Sequence, residues 1–397
     1  MQTIFAIDDY GAIGDGTTLN TRAIQRAIDA CHAAGGGRVV VGAGAYLTGT
    51  VTLRSHVELH LAAGARVLGS PRIEDYETFG FPGYFVERSP EKCSQALFRA
   101  ADAEHIAITG LGVVDGSGRA FYNTAERAWG VFYPKPAAPR PRILIALRCR
   151  DVVLDGVQFN ESPCWTVWLM ACERVRIRGV QMHADQAMIN NDGIDIDGCR
   201  DVVISDSILQ TGDDCIAIRN MRRLREVEGV CENVVVSNCL LNSWCQGIRV
   251  GCPSDGVIRN LRFSNLQIIS RGNGITLDYP ERYLAPDGVA TTDVTGVAFS
   301  DIAIHCGASP VIVSVADAIS LKRLGRLRFT NIESSSGKPW RITGSPGTII
   351  DDVRLDQVSV ATEAEEPLLL KHVHRLEMNR VSLTGGAAGA AYRLPDA

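Results

Sequence analysis

The chain is predicted to be all-β and wound as a parallel β-helix, and three observations carry that prediction. Runs of strand length recur along it, each bounded by Gly, Ser or Asp. Beyond residue 143 they fall into an internal repeat. Its units start at Arg150-Asp151-Val152-Val153-Leu154, Cys172-Glu173-Arg174-Val175-Arg176-Ile177, Cys199-Arg200-Asp201-Val202-Val203-Ile204 and Cys231-Glu232-Asn233-Val234-Val235-Val236. The last three starts lie 27 and 32 residues apart. That length holds two or three short strands, not the four of a propeller blade, and no helix accompanies each unit. Finally, 39 glycines against 16 prolines suit a succession of tight corners that need positive φ.

The elements follow in order. Residues 21–34 place Ile24, Ala27, Ile28 and Cys31 on one helical face, with Asn20 or Thr21 to cap the start and Gly35-Gly36-Gly37 to end it. A solenoid exposes the core of its first coil, so this short N-terminal helix is read as a cap. Strands are expected at Val39-Val40-Val41, Tyr46-Leu47-Thr48, Val57-Glu58-Leu59-His60-Leu61 and Ile106-Ala107-Ile108. After the repeat starts, later copies at Ile258, Val294, Leu327 and Val353 carry the pattern toward the C-terminus, so residues 1–397 are read as one β-helix domain. Segments 71–100 and 119–142 interrupt it. They are richer in Pro, aromatic and charged residues and are read as loops projecting over one face.

Composition narrows the function. Hydrophobic residues make up 46% and charged residues 21%, enough apolar material for an extended core. A net charge of −5 gives no electrostatic reason to expect nucleic acid or an anionic membrane as partner. No run of 18 apolar residues is present, and Met1 leads into Asp8-Asp9-Tyr10-Gly11 without a secretory-type start, so a cytoplasmic location is expected. The 12 cysteines are scattered singly without CxxC spacing and are expected to be reduced and buried rather than disulfide-bonded or zinc-binding.

Two repeat units carry clustered carboxylates: Asn190-Asn191-Asp192-Gly193-Ile194-Asp195 and Gly212-Asp213-Asp214-Cys215. Asp192 and Asp213 stand 21 residues apart, roughly one solenoid coil, so Asp192, Asp213 and Asp214 are expected to crowd onto one patch. Like charges held that close raise at least one pKa, which lets a carboxylic acid work beside a carboxylate. Aligning the strands at 193–197, 215–219, 247–251 and 274–278 by their alternation gives two outward columns. One reads Asp195, Ala217, Arg249, Thr276, and the other Asp197, Arg219, Gly251, Asp278. Gln246 sits just upstream of its strand, and the whole reads as a polar groove.

The opening Asp9-Tyr10-Gly11-Ala12 with Gly14-Asp15-Gly16, the helix, and above all the two acidic motifs in this order and spacing resemble glycoside hydrolase family 28, the polygalacturonase family. The likeness covers roughly residues 8 to 280. It implies a right-handed parallel β-helix that hydrolyses α-linked pectic sugars with inversion and without a cofactor or metal ion. By that resemblance Asp213 would be the general acid protonating the leaving oxygen, with Asp192 and Asp214 activating water. The general distance rule, by contrast, assigns closely spaced carboxylates to a retaining enzyme. Two positions depart from the family pattern. Cys245-Gln246-Gly247 replaces Gly-His-Gly, exchanging a titratable imidazole for an amide. Thr276-Leu277-Asp278 replaces the Arg-Ile-Lys of a galacturonate-carboxylate site, losing two positive charges and adding a negative one.

The expected function is therefore an inverting, exo-acting glycosidase on a pectin-type oligosaccharide containing uronate or rhamnose, distinct from a standard polygalacturonase. Asn190, Gln246, Arg249, Arg219, Thr276 and Asp278 are the candidate substrate-binding residues. Arg249 either grips a sugar acid or pairs with Asp195 or Asp278. Arg219 reads as structural beside Asp197 or as a ligand. Trp165, Trp168 and Trp244 read as core rather than sugar platforms. Asp195 and Asp197 also read as a solvated acidic face. Two other readings stay open. One is a lyase in which Asp192, Asp195, Asp197, Asp213 and Asp214 hold Ca²⁺ and Arg249 or Arg219 is the base. The other is a carbohydrate-binding solenoid without turnover. The flanking sugars and the oligomeric state are left open.

Overall fold

The computed structural model describes residues 4–225, 229–281, 292–386 and 390–391. Two compact units are distinguished: Met1–Asp195 with Cys199–Asp213 and Arg223–Val227, and Ile196–Gly198 with Asp214–Arg222 and Glu228–Ala397.

In the first unit the helix follows two short strands, Ile4–Ala6 and Asp15–Leu19; it spans Thr21–Ala33 and buries Ala23, Ile24, Ala27, Ile28 and Cys31. Asn20 does not cap it through its side chain. Its Oδ1 instead accepts the Ile13 N–H at 2.7 Å, and its Nδ2 donates to Thr18 O at 2.7 Å, pinning the loop that leads in. Parallel strands then stack coil on coil in three ladders. One runs through Gly37–Val41, Val57–Leu61, Glu104–Gly110, Arg150–Asp155, Glu173–Arg178 and Arg200–Ser205. A second joins Gly44–Thr48, Ala65–Gly69, Val113–Asp115, Gln158–Asn160, Gln181–His183 and Ile208–Thr211. The third joins Val51–Thr52, Ala96–Ala101, Arg142–Leu147 and Val167–Met170. Alternation sets the register: Val152, Val175 and Val202 stack inward, as do Leu154, Ile177 and Ile204.

The 71–100 segment is irregular only as far as residue 95, holding short 3-10 turns before strand Ala96–Ala101 begins. Phe79 and Tyr84 pack edge to face, and Tyr84 meets Trp168 in the same way. The 119–142 segment is fastened by Tyr122, whose hydroxyl donates to Pro163 O, and by Tyr133, whose hydroxyl donates to Asp185 Oδ2 at 2.7 Å. Trp165 and Trp168 are buried with the Arg142 guanidinium over both rings.

In the second unit, long strands Val230–Ser243, Val257–Ser270, Asp293–Cys306, Arg323–Ser336 and Ile350–Thr362 stack in parallel. Phe263, Phe299 and Phe329 form an inner column with centroids 4.8 and 5.2 Å apart. Facing them is a ladder of Ile216–Asn220, Gln246–Ser254, Asn273–Tyr279, Val311–Val315, Trp340–Thr343 and Leu368–Lys371. All described cysteines are free thiols, and all but Cys245 are buried.

Candidate active site

In the first unit the Asn190–Asp192 turn is tied to the Gly212–Asp213 turn by one carboxamide. Asn191 Oδ1 accepts the N–H of Gly212 at 2.6 Å and of Asp213 at 3.2 Å, while its Nδ2 donates to Asp185 O at 3.2 Å. The approach is so close that residue 212 must be Gly: a Cβ there would lie 2.4 Å from Met188 O. Asn190 adopts φ +61°, a conformation Asn tolerates better than most residues. From it the Asn190 N–H reaches Asp213 Oδ2 at 3.3 Å. Asp192 is buried, with its carbonyl accepting the Thr166 N–H at 2.8 Å, whereas Asp213 is only half-buried. Behind the turn, Arg140 is 1% exposed and donates to Pro163 O, Ile189 O and Asn190 Oδ1.

In the second unit Asp214 is fully buried. Arg219 Nη2 donates to its Oδ2 at 3.1 Å, and Arg249 Nη1 lies 3.8 Å from the same oxygen. Arg249 also forks onto Asp278, with Nε and Nη2 at 3.1 and 2.9 Å from the two carboxylate oxygens. Burial disfavours the charge on Arg249, but Asp214, Cys252 and Asp278 outweigh it and hold the guanidinium charged more firmly than usual. Gln246 Oε1 accepts from Asn273 Nδ2 at 2.9 Å and from Thr276 Oγ1 at 2.7 Å.

Of the two expected outward columns, the Ala217, Arg249 and Thr276 part of one forms as aligned, these three being register partners. The other is broken. Pairing slips between Ile218 and Asn220, and Asn220 pairs with Ser254, so Arg219 and Gly251 do not stack directly. Neither Asp195 nor Asp197 is a solvated acidic face, because both are fully buried, and Asp197 Oδ1 accepts the Met221 N–H at 2.8 Å. Thr276, 2% exposed, spends its hydroxyl on Gln246, and Arg219, 4% exposed, braces Asp214 and Cys252 O. Trp244 is half-buried rather than core, with the Arg271 guanidinium 5.3 Å from its ring centroid. Sequence reading missed Asn191, Arg140 and Asn273. Only Asn191, inside the first acidic motif, carried a signal.

An Asp214 carboxylate oxygen and the Cys245 Sγ lie within 4.8 Å of one another. That donor pair is a poor match to the all-oxygen shell of Ca²⁺. Asp214 is moreover already matched by two guanidinium groups.

Coils of parallel strands whose entry turns carry carboxylates, guanidinium groups and carboxamides define a polar-faced β-solenoid. Within that class the chain belongs to the glycosyl hydrolases family 28, whose family model matches residues 31–374. It is similar to a probable polygalacturonase of Vitis vinifera, 28% identical over 279 residues covering 68% of this chain and 55% of the relative. It is also similar to an exo-poly-alpha-D-galacturonosidase of Dickeya chrysanthemi, 28% identical over 251 residues covering 54% of this chain and 41% of the relative. The chain thus spans about half the length of these curated relatives. A hyperthermoactive exopolygalacturonase from Thermotoga maritima matches it with a TM-score of 0.76 at 23% identity, over 98% of this chain and 93% of that one. That likeness shows the fold, the right-handed parallel β-helix.

Proposed function

We propose that the protein is an inverting glycoside hydrolase that acts from the end of an α-linked pectin-type oligosaccharide bearing uronate or rhamnose, with a preference different from that of a standard polygalacturonase. The observation that carries this reading is the unequal burial of two neighbouring carboxylates. Asp213 is half-buried, while Asp214 is fully buried against Arg219 and Arg249. Glycoside cleavage wants one carboxyl group that can reach and protonate a leaving oxygen and another that stays ionised to activate water. Asp213 suits the first role. Asp214, matched by guanidinium groups, suits the second.

Exo-action is supported by the Dickeya chrysanthemi relative, whose name specifies that mode. A shifted substrate preference is supported by Thr276 and Asp278. The former is committed to Gln246, and the latter is paired with Arg249, so the charge of Arg249 is already matched. The lyase reading is disfavoured by the guanidinium groups already on Asp214.

The test is a panel of defined pectic oligosaccharides, plain galacturonate oligomers and rhamnose-containing ones, followed by anomeric NMR and chain-end analysis. The proposal expects release of terminal units with inverted configuration, fastest on a mixed oligosaccharide. An unsaturated uronate product abolished by a chelator overturns hydrolysis. Equal rates on plain trigalacturonate overturn the shifted preference.

A further inference from the structure

The polarity of the Gln246 amide is fixed from outside the acidic motifs by a relay that begins at a backbone N–H. Ser309 N–H donates to Asn273 Oδ1 at 3.1 Å. That contact assigns the oxygen of the Asn273 amide to the Ser309 side, so its Nδ2 must face Gln246. There it donates to Gln246 Oε1 at 2.9 Å, and Thr276 Oγ1 donates to the same oxygen at 2.7 Å. Both lone pairs of Oε1 are then used. Rotating the Gln246 amide by half a turn would set Nε2 against Nδ2, donor to donor, and strip the Thr276 hydroxyl of its acceptor. The amide is therefore locked with Nε2 on the other side, where its contact among the described residues is a weak one of 3.6 Å to Cys245 Sγ. Cys245 Sγ in turn stands within 4.8 Å of an Asp214 carboxylate oxygen, and Gln246 itself is half-buried, with access to solvent.

We infer that Gln246 is a donor-only specificity-determining residue: it presents N–H and never an acceptor to the sugar, and Asn273 is the positioning residue that sets this polarity. The inference rests on the glycosidase reading for the identity of its ligand, but not for the relay itself. The group it selects is a hydrogen-bond acceptor, such as a carboxylate, a ring oxygen or a hydroxyl taken through its lone pair. An imidazole at this position exchanges donor for acceptor as it titrates, whereas an amide keeps the same face at every pH.

Two measurements test it. The first is side-chain amide NMR of the 15N-labelled full chain. The Asn273 NH₂ is expected to be protected from exchange and the Gln246 NH₂ to be the less protected, shifting when a pectic oligosaccharide is added. A protected Gln246 NH₂ beside an exchanging Asn273 NH₂ overturns the relay without any ligand. The second is a pair of variants assayed by calorimetric binding in an Asp213→Asn background and by kcat and KM in the active enzyme. Asn273→Asp sets an acceptor against Oε1, so Gln246 turns its oxygen to the sugar, and affinity is expected to fall at least about tenfold with the loss in KM. Gln246→Glu is expected to lose affinity similarly at neutral pH and to recover it below about pH 4.5, where the carboxyl regains a proton to donate. Unchanged affinity in both variants, or a Gln246→Glu loss that is independent of pH, overturns the donor role. Failure of any pectic oligosaccharide to bind or turn over overturns the glycosidase reading instead, and the exchange pattern still decides the relay.

Discussion

At the scale of single residues, Arg249 holds the most consequential position in the second unit, because it faces Asp214 and Asp278 at once from a site with 11% of its side chain exposed. Removing one partner of a buried pair strands the other charge in a poorly hydrated place. Arg249→Met is therefore expected to lower stability by about 3 kcal/mol, read from denaturant midpoints, and to abolish turnover. Adding Asp278→Leu is expected to restore much of the stability and none of the activity. Cys93 gives a second residue-scale test, this one in the first unit. A hydrogen bond from Cys164 works against burial and, with Arg142 and Arg140 adding to it, brings the Cys93 thiol down to about 6, while burial sends Cys164 up. A folded pKa below that of a free thiol, about 8.5, stabilises the protein above the latter value, and that contribution is lost as pH falls through the former. Native thiolate absorbance should titrate below the free-thiol range and vanish in Cys93→Ala. The variant should also lose less stability than the parent between those two pH values. The carboxylates and Asn190 were legible in the sequence because each lies inside a short motif. Arg140 and Asn273 were not, because their partners are 50 and 36 residues away in sequence and arrive from other coils: Arg140 meets Asn190, and Asn273 meets Ser309.

At the scale of elements, the repeat starts owe their regularity to backbone conformation as much as to apolar spacing. The residue just before the first Val of each unit lies in the left-handed region: Asp151, Arg174, Asp201 and Asn233 have φ of 53°, 53°, 57° and 57°. The same bend recurs down the second unit at Asn260, Gly296, Arg326 and Asp352. Asn, Asp and Gly accept that conformation at low cost, whereas a long side chain without a local hydrogen bond is strained there. This explains why the long strands of the second unit escaped as single elements: an Asn, Asp or Gly at the bend reads as a strand boundary. The bend lies within a continuous strand and adds one residue to the alternation, so that Cys231 and Val234, three apart, both point inward. The register slip at Ile218–Asn220 escaped for a related reason, since period-two alternation predicts no inserted residues. Arg326 and Arg375, exposed at φ +55° and +53°, are the exceptions in that column, and of the two Arg375 forks onto Asp351. Arg326→Asn is expected to raise stability by about 0.5 kcal/mol, measured by urea unfolding, with activity unchanged. Asn191 works the other way. Fully buried and bonded to two N–H groups, it should cost about 2 kcal/mol or more when changed to Ala, with turnover falling as the Asp213 turn loosens.

At the scale of the whole molecule, coil stacking turns sequence-distant charges into lateral ladders, and these ladders set how the protein responds to acid. In the first unit Arg174 forks onto Asp151 with both contacts at 2.8 Å, and Arg148 onto Asp102 at 2.6 Å. In the second, Arg328 meets Asp352 and Arg375 meets Asp351. Hydrogen bonds from these arginines hold Asp151, Asp102 and Asp352 below the ordinary carboxylate range, and the one from Arg375 brings Asp351 to about 2. Each carboxyl thus binds its proton more weakly folded than unfolded. The stability they contribute is complete above the unfolded value, about 3.9, and drains away as pH falls toward the folded values. Each pair is exposed or half-buried and individually small, so the effect is expected only as a sum over the ladders and should shrink in salt. Thermal midpoints at low ionic strength should stay level from about pH 6 to 5 and drop steeply between about pH 4 and 2. The combined variant Arg148→Gln, Arg174→Gln, Arg328→Gln, Arg375→Gln should flatten that drop while moving the neutral-pH midpoint little. A combined variant as acid-sensitive as the parent would move the cause away from these ladders to the buried carboxylates Asp192, Asp195 and Asp214.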